Sequence, residues 1–228
     1  MNKQEKVLQV FENISENYDA ANSRISLGMQ AGWKKHLTDA VITSGAKSVL
    51  DVCCGTGDIS LELSRANINV TGLDFSSAML SVAKEKETEL SEILNGQITW
   101  IQGDAMNLPF ADKSFDTATI SFGLRNTPDY KQVIEEMKRV SRGNVYILDS
   151  FVPENKIIYP FYKLYFKTFM PLLGGKGKFK DEYNWLFEST DKFLSPEELS
   201  NLLYEADFAK VVIDKYNFGS CCLLTAFQ

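Results

Sequence analysis

Apolar and polar positions change their period several times along the chain, and the changes mark its elements. Residues 3–17 and 23–42 carry helical spacing, with Tyr18-Asp19-Ala20-Ala21-Asn22 as the junction between two helices. Short apolar runs then alternate with helical stretches. Val49–Cys53 is a first strand, followed by a helix over 58–66. Ile68–Leu73 is a second, and Ser76 is placed to cap a helix through residue 88. Ile98–Ile101 is a third strand and Phe115–Phe122 a fourth, backed by a helix over 129–140; Val145–Asp149 is a fifth. Strand and helix in alternation predict an α/β fold with a doubly wound parallel sheet. Past residue 150 the pattern changes. Residues 157–173 predict an aromatic-rich helix, followed by a Gly/Lys loop from Gly174 to Lys180. Ser195-Pro196-Glu197-Glu198 places an N-cap and a first-turn proline ahead of a helix to Ala206. Two last strands, at 210–216 and 220–227, predict an antiparallel C-terminal edge.

At 228 residues the chain suits one domain, 1–228, with an N-terminal helical cap over 1–45 and a helical insertion over 151–195. The 24 basic and 30 acidic residues leave a net charge of −6, which disfavours a nucleic-acid partner. No apolar run reaches the ~18 residues that span a bilayer. The charged N-terminus MNKQEKVLQVFENI lacks a leader's apolar stretch, so a cytoplasmic location is expected. The four cysteines form two adjacent pairs, Cys53-Cys54 and Cys221-Cys222, without zinc-site spacing. They read as buried free thiols in a reducing compartment. The single histidine, His36, sits in a polar helical stretch and reads as structural; no metal site is expected.

Ligands of such a sheet bind beyond the carboxyl ends of its strands. The first end carries Asp51-Val-Cys-Cys-Gly55-Thr56-Gly57-Asp58. Its glycines let backbone approach a ligand closely, but the dinucleotide fingerprint wants a third small residue where Ser60 sits. Asp51 and Asp58 flank the turn, an arrangement that repels a pyrophosphate and favours a cation. S-adenosylmethionine, with its ammonium and sulfonium, suits this charge pattern where NAD does not. Asp74 ends the second strand, 19 positions after Gly55, where a carboxylate can accept both hydroxyls of a ribose. Gly103-Asp104-Ala105 follows the third strand, and its carboxylate can accept an adenine amino group. Each acid alone reads as a solvated turn residue. At three consecutive strand ends, beside a glycine turn, they point together to an adenosine-bearing cofactor.

D-V-C-C-G-T-G-D (51–58), G-L-D-F-S-x-x-M-L (72–80), G-D-A-M-x-L-P-F (103–110) and F-D-T-A-T-I-S-F-G-L-R-N (115–126) resemble the ubiquinone/menaquinone biosynthesis C-methyltransferase family. With E-Y-x-W-L-x-E-S-T (182–190), the wording is nearest to its demethylmenaquinone branch, and the likeness spans essentially the whole chain. Where the family has Y-D-x-M-N…S-x-x-x-H-x-x-W, this chain has Tyr18-Asp19-Ala20-Ala21-Asn22, Ser26, Gln30 and Trp33. The family's E-A-G-F reads Glu205-Ala206-Asp207-Phe208.

The resemblance implies a Rossmann-like class I methyltransferase fold that binds S-adenosylmethionine. Thr56, Asp74, Asp104, Ala105 and Ser121 carry over as cofactor-binding positions, with Asp51, Gly55 and Gly57 completing the turn. The implied reaction is methylation of a ring carbon of a prenylated quinol, demethylmenaquinol to menaquinol. Arg125 stabilises a phenolate or positions a water, and Asn126 and Tyr18 hold ring oxygens. The prenylated substrate suggests peripheral membrane contact through 157–173, where Lys163 and Lys167 sit beside aromatics and Lys176, Lys178 and Lys180 follow. A cover helix packed on the sheet competes with that reading. An O- or N-methyltransferase of a small phenol or amine, and a non-catalytic cofactor-binding protein, are the alternative functions. Asn126-Thr127-Pro128-Asp129-Tyr130 has one residue too many for the N-P-P-Y box of nucleic-acid amine methyltransferases.

Overall fold

The alternating runs assemble one sheet. The computed structural model describes residues 3–168 and 180–228. Its strands are β1 (Ser48–Val52), β2 (Asn69–Asp74), β3 (Ile98–Gln102), β4 (Thr117–Ser121), β5 (Val145–Ser150), β6 (Lys210–Tyr216) and β7 (Cys221–Phe227). They lie in the order β3-β2-β1-β4-β5-β7-β6. β1 to β5 are mutually parallel, and β7 runs antiparallel between β5 and β6. The predicted antiparallel edge is therefore present. Its last strand is the inner one, because the tight turn at Asn217–Gly219 folds β7 back between β6 and the parallel sheet.

The helices are α1 (Lys3–Ile14), α2 (Tyr18–Ile25), α3 (Met29–Thr43), α4 (Asp58–Arg65), α5 (Ser77–Leu90), α6 (Tyr130–Val140), α7 (Ile158–Thr168), α8 (Lys180–Asp191) and α9 (Pro196–Glu205). Side chains alternate across the sheet as strand geometry requires. Leu50, Val52, Ile120 and Ile147 meet α6 and α9 on one face; Val49, Val70, Tyr146 and Leu148 meet α3 and α4 on the other. A third cluster joins Val10 and Ile14 of α1, Ala21 and Ile25 of α2, Met79 of α5 and Leu186 of α8. Ser76 caps α5 by accepting from Met79 N (3.2 Å). Ser195 and Glu198 close a reciprocal capping box on α9.

Some boundaries move. The 18–22 junction is helical, and the chain instead breaks at Leu27-Gly28, where both residues adopt left-handed φ (51° and 79°). The glycine makes that break possible. The fourth strand begins only at Thr117; Phe115 forms an isolated bridge to Ser141. Lys180 opens α8 rather than closing a loop. The remainder of the predicted 157–173 helix, 169–173, and the loop residues 174–179 lie outside the described residues. Asp207, in place of the family glycine, takes φ 60°, a region aspartate tolerates. Among the described residues no helix is long and apolar enough to cross a membrane.

Candidate active site

Strand order reverses between β1 and β4, which opens a crevice at their carboxyl ends. The turn after β1 is built on left-handed residues: Cys53 (φ 54°), Gly55 (55°) and Gly57 (83°). The two glycines differ in purpose. A Cβ on Gly55 meets nothing within 4 Å, so its backbone faces open space. A Cβ on Gly57 falls 2.6 Å from the Trp100 ring, so Gly57 lets the start of α4 pack against β3.

Three cavities meet beyond this turn. The first spans about 710 Å³, part of it open to solvent, between the strand ends and α1; Gly55, Asp74, Asp104, Ala105, Ser121 and Asn126 line it below, and Gln4, Val7 and Phe11 cover it. The second, about 1230 Å³, is bounded by α2, α3, α7 and α8 and lined by Asn22, Gln30, Trp33, Arg125, Tyr162, Tyr165 and Leu186. The third, about 350 Å³, lies under the glycine turn beside Lys34, Asp51, Thr56 and Asp58. Tyr18 and Phe122 line all three.

In the first cavity Asp74 accepts from Gly55 N (2.8 Å) and Ser76 N (2.9 Å), one bond on each oxygen. Burial raises its pKa, and the backbone N–H groups oppose that shift. Each carboxylate oxygen keeps a further lone pair. Asp104 accepts from Met106 N and from Gln4 Nε2, both at 2.9 Å, so α1 is latched to the third strand's end. Ser121 Oγ and Asn126 Oδ1 are buried without a protein partner. Asn126 lines this cavity rather than the second, because its amide folds back to Phe122 O (3.2 Å).

Charge beneath the turn is more balanced than the sequence suggests. Asp58 pairs with Lys34 (2.7 Å) and with Lys86, and Lys86 also reaches Asp19 (2.9 Å). Burial works to raise the Asp58 carboxyl; the lysines outweigh it and hold it at about 2. Thr56 Oγ1 donates to Asp19 (2.7 Å). The expectation that both flanking acids act as free anions fails for Asp58, whose charge Lys34 and Lys86 already neutralise. Asp51 has no such cation in contact. It is buried, accepts from Ser60 Oγ (2.7 Å) and Thr119 Oγ1 (3.2 Å), and is raised by burial to about 6.

Arg125 reaches the second cavity from the short helical turn Leu124–Asn126. Its Nη1 pairs with Asp149 Oδ1 and donates to Phe122 O (2.8 Å), while Nε has no protein partner. Sequence reasoning missed Asp149; the available signal was an acid ending the apolar run Val145–Leu148. Tyr18 is held neutral: burial lifts its hydroxyl to about 12 against the opposing Arg125 charge. Gln30, where the family has histidine, lines the cavity, whereas Ala21 packs in the α1/α2 core. His36 lies apart, stacked on Tyr216 with ring centroids 4.7 Å apart. Cys221 and Cys222 are buried as expected; Cys53 and Cys54 are half-buried in the turn.

A mostly parallel seven-stranded sheet with this antiparallel edge is the fold of the class I S-adenosylmethionine-dependent methyltransferases. Magnesium protoporphyrin IX methyltransferase from Synechocystis PCC 6803, solved with S-adenosylmethionine bound, shares it at a TM-score of 0.67 and 16% identity, over 100% of this chain and 98% of that one. An S-adenosylmethionine-dependent methyltransferase from Aquifex aeolicus gives a TM-score of 0.57 and 20% identity, over 83% of this chain and 88% of that one. The whole chain, 1–228, matches the ubiE/COQ5 methyltransferase family, and it belongs to that family. Demethylmenaquinone methyltransferases of Staphylococcus haemolyticus and Staphylococcus epidermidis are 44% and 42% identical, over 99% of this chain and 95% and 94% of theirs.

Proposed function

We propose that this enzyme methylates a ring carbon of a prenylated quinol, converting demethylmenaquinol to menaquinol with S-adenosylmethionine as methyl donor. The observation that carries this reading is the meeting of three chemically distinct cavities at Tyr18 and Phe122. The residues present suit the cofactor. Asp74 has lone pairs left for ribose hydroxyls, and Ser121 Oγ and Asn126 Oδ1 are buried polar atoms in need of a partner. The third cavity offers Asp51 to an ammonium, and the Lys34 ammonium to a carboxylate. When bound, S-adenosylmethionine supplies an electrophilic methyl group. Gly103 and Ala105 border the space beside Asp104, where an adenine would lie.

On the acceptor side, the chain's task is to raise electron density at a ring carbon and to hold that carbon in line. A phenolate enriches its ortho carbon, and Arg125 is the cation placed to stabilise it. Tyr18, kept neutral, donates a hydrogen bond to the second ring oxygen at the junction of the cavities. Arg125 cannot serve as a base. The chamber lining contains no histidine, so the ring proton leaves to water. Ile25 of α2, Phe161, Tyr162 and Tyr165 of α7 and Leu186 of α8 give the chamber a largely apolar wall that matches an apolar tail. On this reading, α1, α2 and α3 from the N-terminal side and, among the described residues of 151–195, α7 and α8 cover the site.

The test is labelled methyl transfer to reduced demethylmenaquinol and to demethylated benzoquinols, side by side. Label in the naphthoquinol supports the assignment. Label only in small phenols or amines overturns it.

A further inference from the structure

We propose that the mouth of the acceptor chamber is a docking face for an anionic phospholipid surface. Five large apolar residues stand exposed there: Leu27 (69%), Ile157 (76%), Phe161 (70%), Leu164 (60%) and Phe218 (78%). They come from three separate places in the fold, namely the α2–α3 turn, α7 with the residue before it, and the turn between β6 and β7. Direct contacts tie these places together. Tyr165 OH donates to Ile25 O (2.7 Å), joining α7 to α2. Trp33 Nε1 donates to Asn217 Oδ1 (2.9 Å), and Asn217 Nδ2 reaches Met29 Sδ (2.7 Å), joining α3 to the β6–β7 turn. Leu27, Phe161 and Asn217 also line the chamber, so the apolar patch forms its rim.

The backbone holds two of these side chains outward at a cost. Leu27 and Phe218 have φ of 51° and 60°, a region that bulky residues avoid. Phe218 sits between two other left-handed residues, Asn217 and Gly219. At 78% exposure it gains little packing within the chain, and an aromatic ring left this open suits a contact outside it.

Charge identifies the occupant. Residues 20–32, 155–168 and 216–220 contain Arg24, Lys156, Lys163 and Lys167 and no aspartate or glutamate, in a chain with six more acids than bases. Segments that combine exposed apolar side chains with basic residues match the two requirements of interfacial binding, insertion and attraction to anionic headgroups. A second copy fits less well, because a two-fold contact through this face sets the cations against themselves. The inference rests on the prenylated acceptor proposed above: docking here would open the chamber toward the phase that holds the tail.

The experiment uses the full chain and vesicles of phosphatidylcholine with or without phosphatidylglycerol, read by co-sedimentation. Wild type is expected on the anionic vesicles, with binding that falls as salt rises. Ile157→Glu/Phe218→Glu alters two rim residues that do not line the chamber, and Lys156→Glu tests charge alone. The double variant should bind roughly tenfold or more weakly, since it loses both insertion and attraction. It should methylate a short-tailed, water-soluble acceptor at the wild-type rate and a vesicle-embedded one at least about tenfold more slowly. Wild type that stays off the vesicles, or variants that bind as wild type does, would overturn the proposal. So would a solution dimer that the double variant abolishes, which would assign the face to a second copy. Variant-sensitive vesicle binding without methylation of any quinol supports the docking face and removes the quinol assignment instead.

Discussion

Asp149 holds Arg125 at two points: its Oδ1 pairs with the guanidinium Nη1, and its Oδ2 accepts from the Arg125 backbone N–H (3.2 Å). The carboxylate is fully buried and the arginine nearly so. One acid at the end of β5 thus fixes both the short turn that carries Arg125 and the direction of its side chain. Burial raises the Asp149 carboxyl, and the arginine charge opposes the shift. A guanidinium held at the chamber wall by this pair is preorganised to face a developing phenolate.

Breaking this pair from one side strands a charge in the interior. Asp149→Asn should cost roughly 3–5 kcal/mol of stability in urea unfolding. The double variant Arg125→Met/Asp149→Leu should cost less than the sum of its single changes, because neither charge is left behind. Strictly additive losses would contradict the coupling.

Arg125→Lys keeps the charge and loses the planar guanidinium whose Nη1 pairs with Asp149 and donates to Phe122 O. Turnover should fall by about a hundredfold, the scale of losing one oxyanion donor. Cofactor affinity, measured by calorimetry, should stay close to wild type because Arg125 lines the second cavity and not the first. Parallel loss of both would move Arg125 out of the acceptor site.

The two turn glycines should separate stability from binding. Gly57→Ala adds left-handed strain of about 1–2 kcal/mol. Its new Cβ also overlaps Trp100 and Ala83, which adds roughly 1–3 kcal/mol of overpacking. Gly55→Ala carries only the strain of about 1–2 kcal/mol, and its Cβ meets open space at the cavity edge, so cofactor affinity should fall while the stability loss stays the smaller of the two. Thermal unfolding and calorimetry on both variants check this; equal stability losses would contradict it.

Asp51 makes a pH-dependent prediction. Its folded pKa, about 6, lies above the usual 3.8, so the native state binds the proton more tightly than the unfolded state. This group's contribution to stability is therefore complete at low pH and is lost as pH rises through about 6. Asp51→Asn removes the ionisation. Relative to wild type, it should gain up to roughly 3 kcal/mol between pH 4 and pH 7, at ~1.4 kcal/mol per unit. Denaturant unfolding across that range measures the difference, and a flat difference would contradict the raised pKa.

The sheet was legible in the sequence because each strand is a short apolar run closed by a polar or glycine signal, as at Leu73-Asp74 and Ile101–Asp104. Asp74, Asp104 and Ser121 were legible for the same reason, and they share the first cavity. What failed depended on partners distant in sequence. Asp58 reads as a free acid until Lys34 and Lys86 arrive from α3 and α5. Asn126 follows Arg125 directly, yet the turn sends the two side chains into different cavities. The helix at Tyr18–Ile25 was hidden because its polar residues, Asp19, Asn22 and Ser23, resemble a junction; burial of Ala21 and Ile25 against α1, α5 and α8 settles it as helix.

The central claim is carbon methylation at the meeting point of the three cavities. The direct measurement supplies S-adenosylmethionine carrying a ¹³C methyl group with reduced demethylmenaquinol and locates the label in the product by NMR. The expected product carries an aryl C–CH₃ carbon, formed from the reduced quinol and not from the oxidised quinone. A methoxy carbon, or cofactor binding with no transfer to either form, would contradict it.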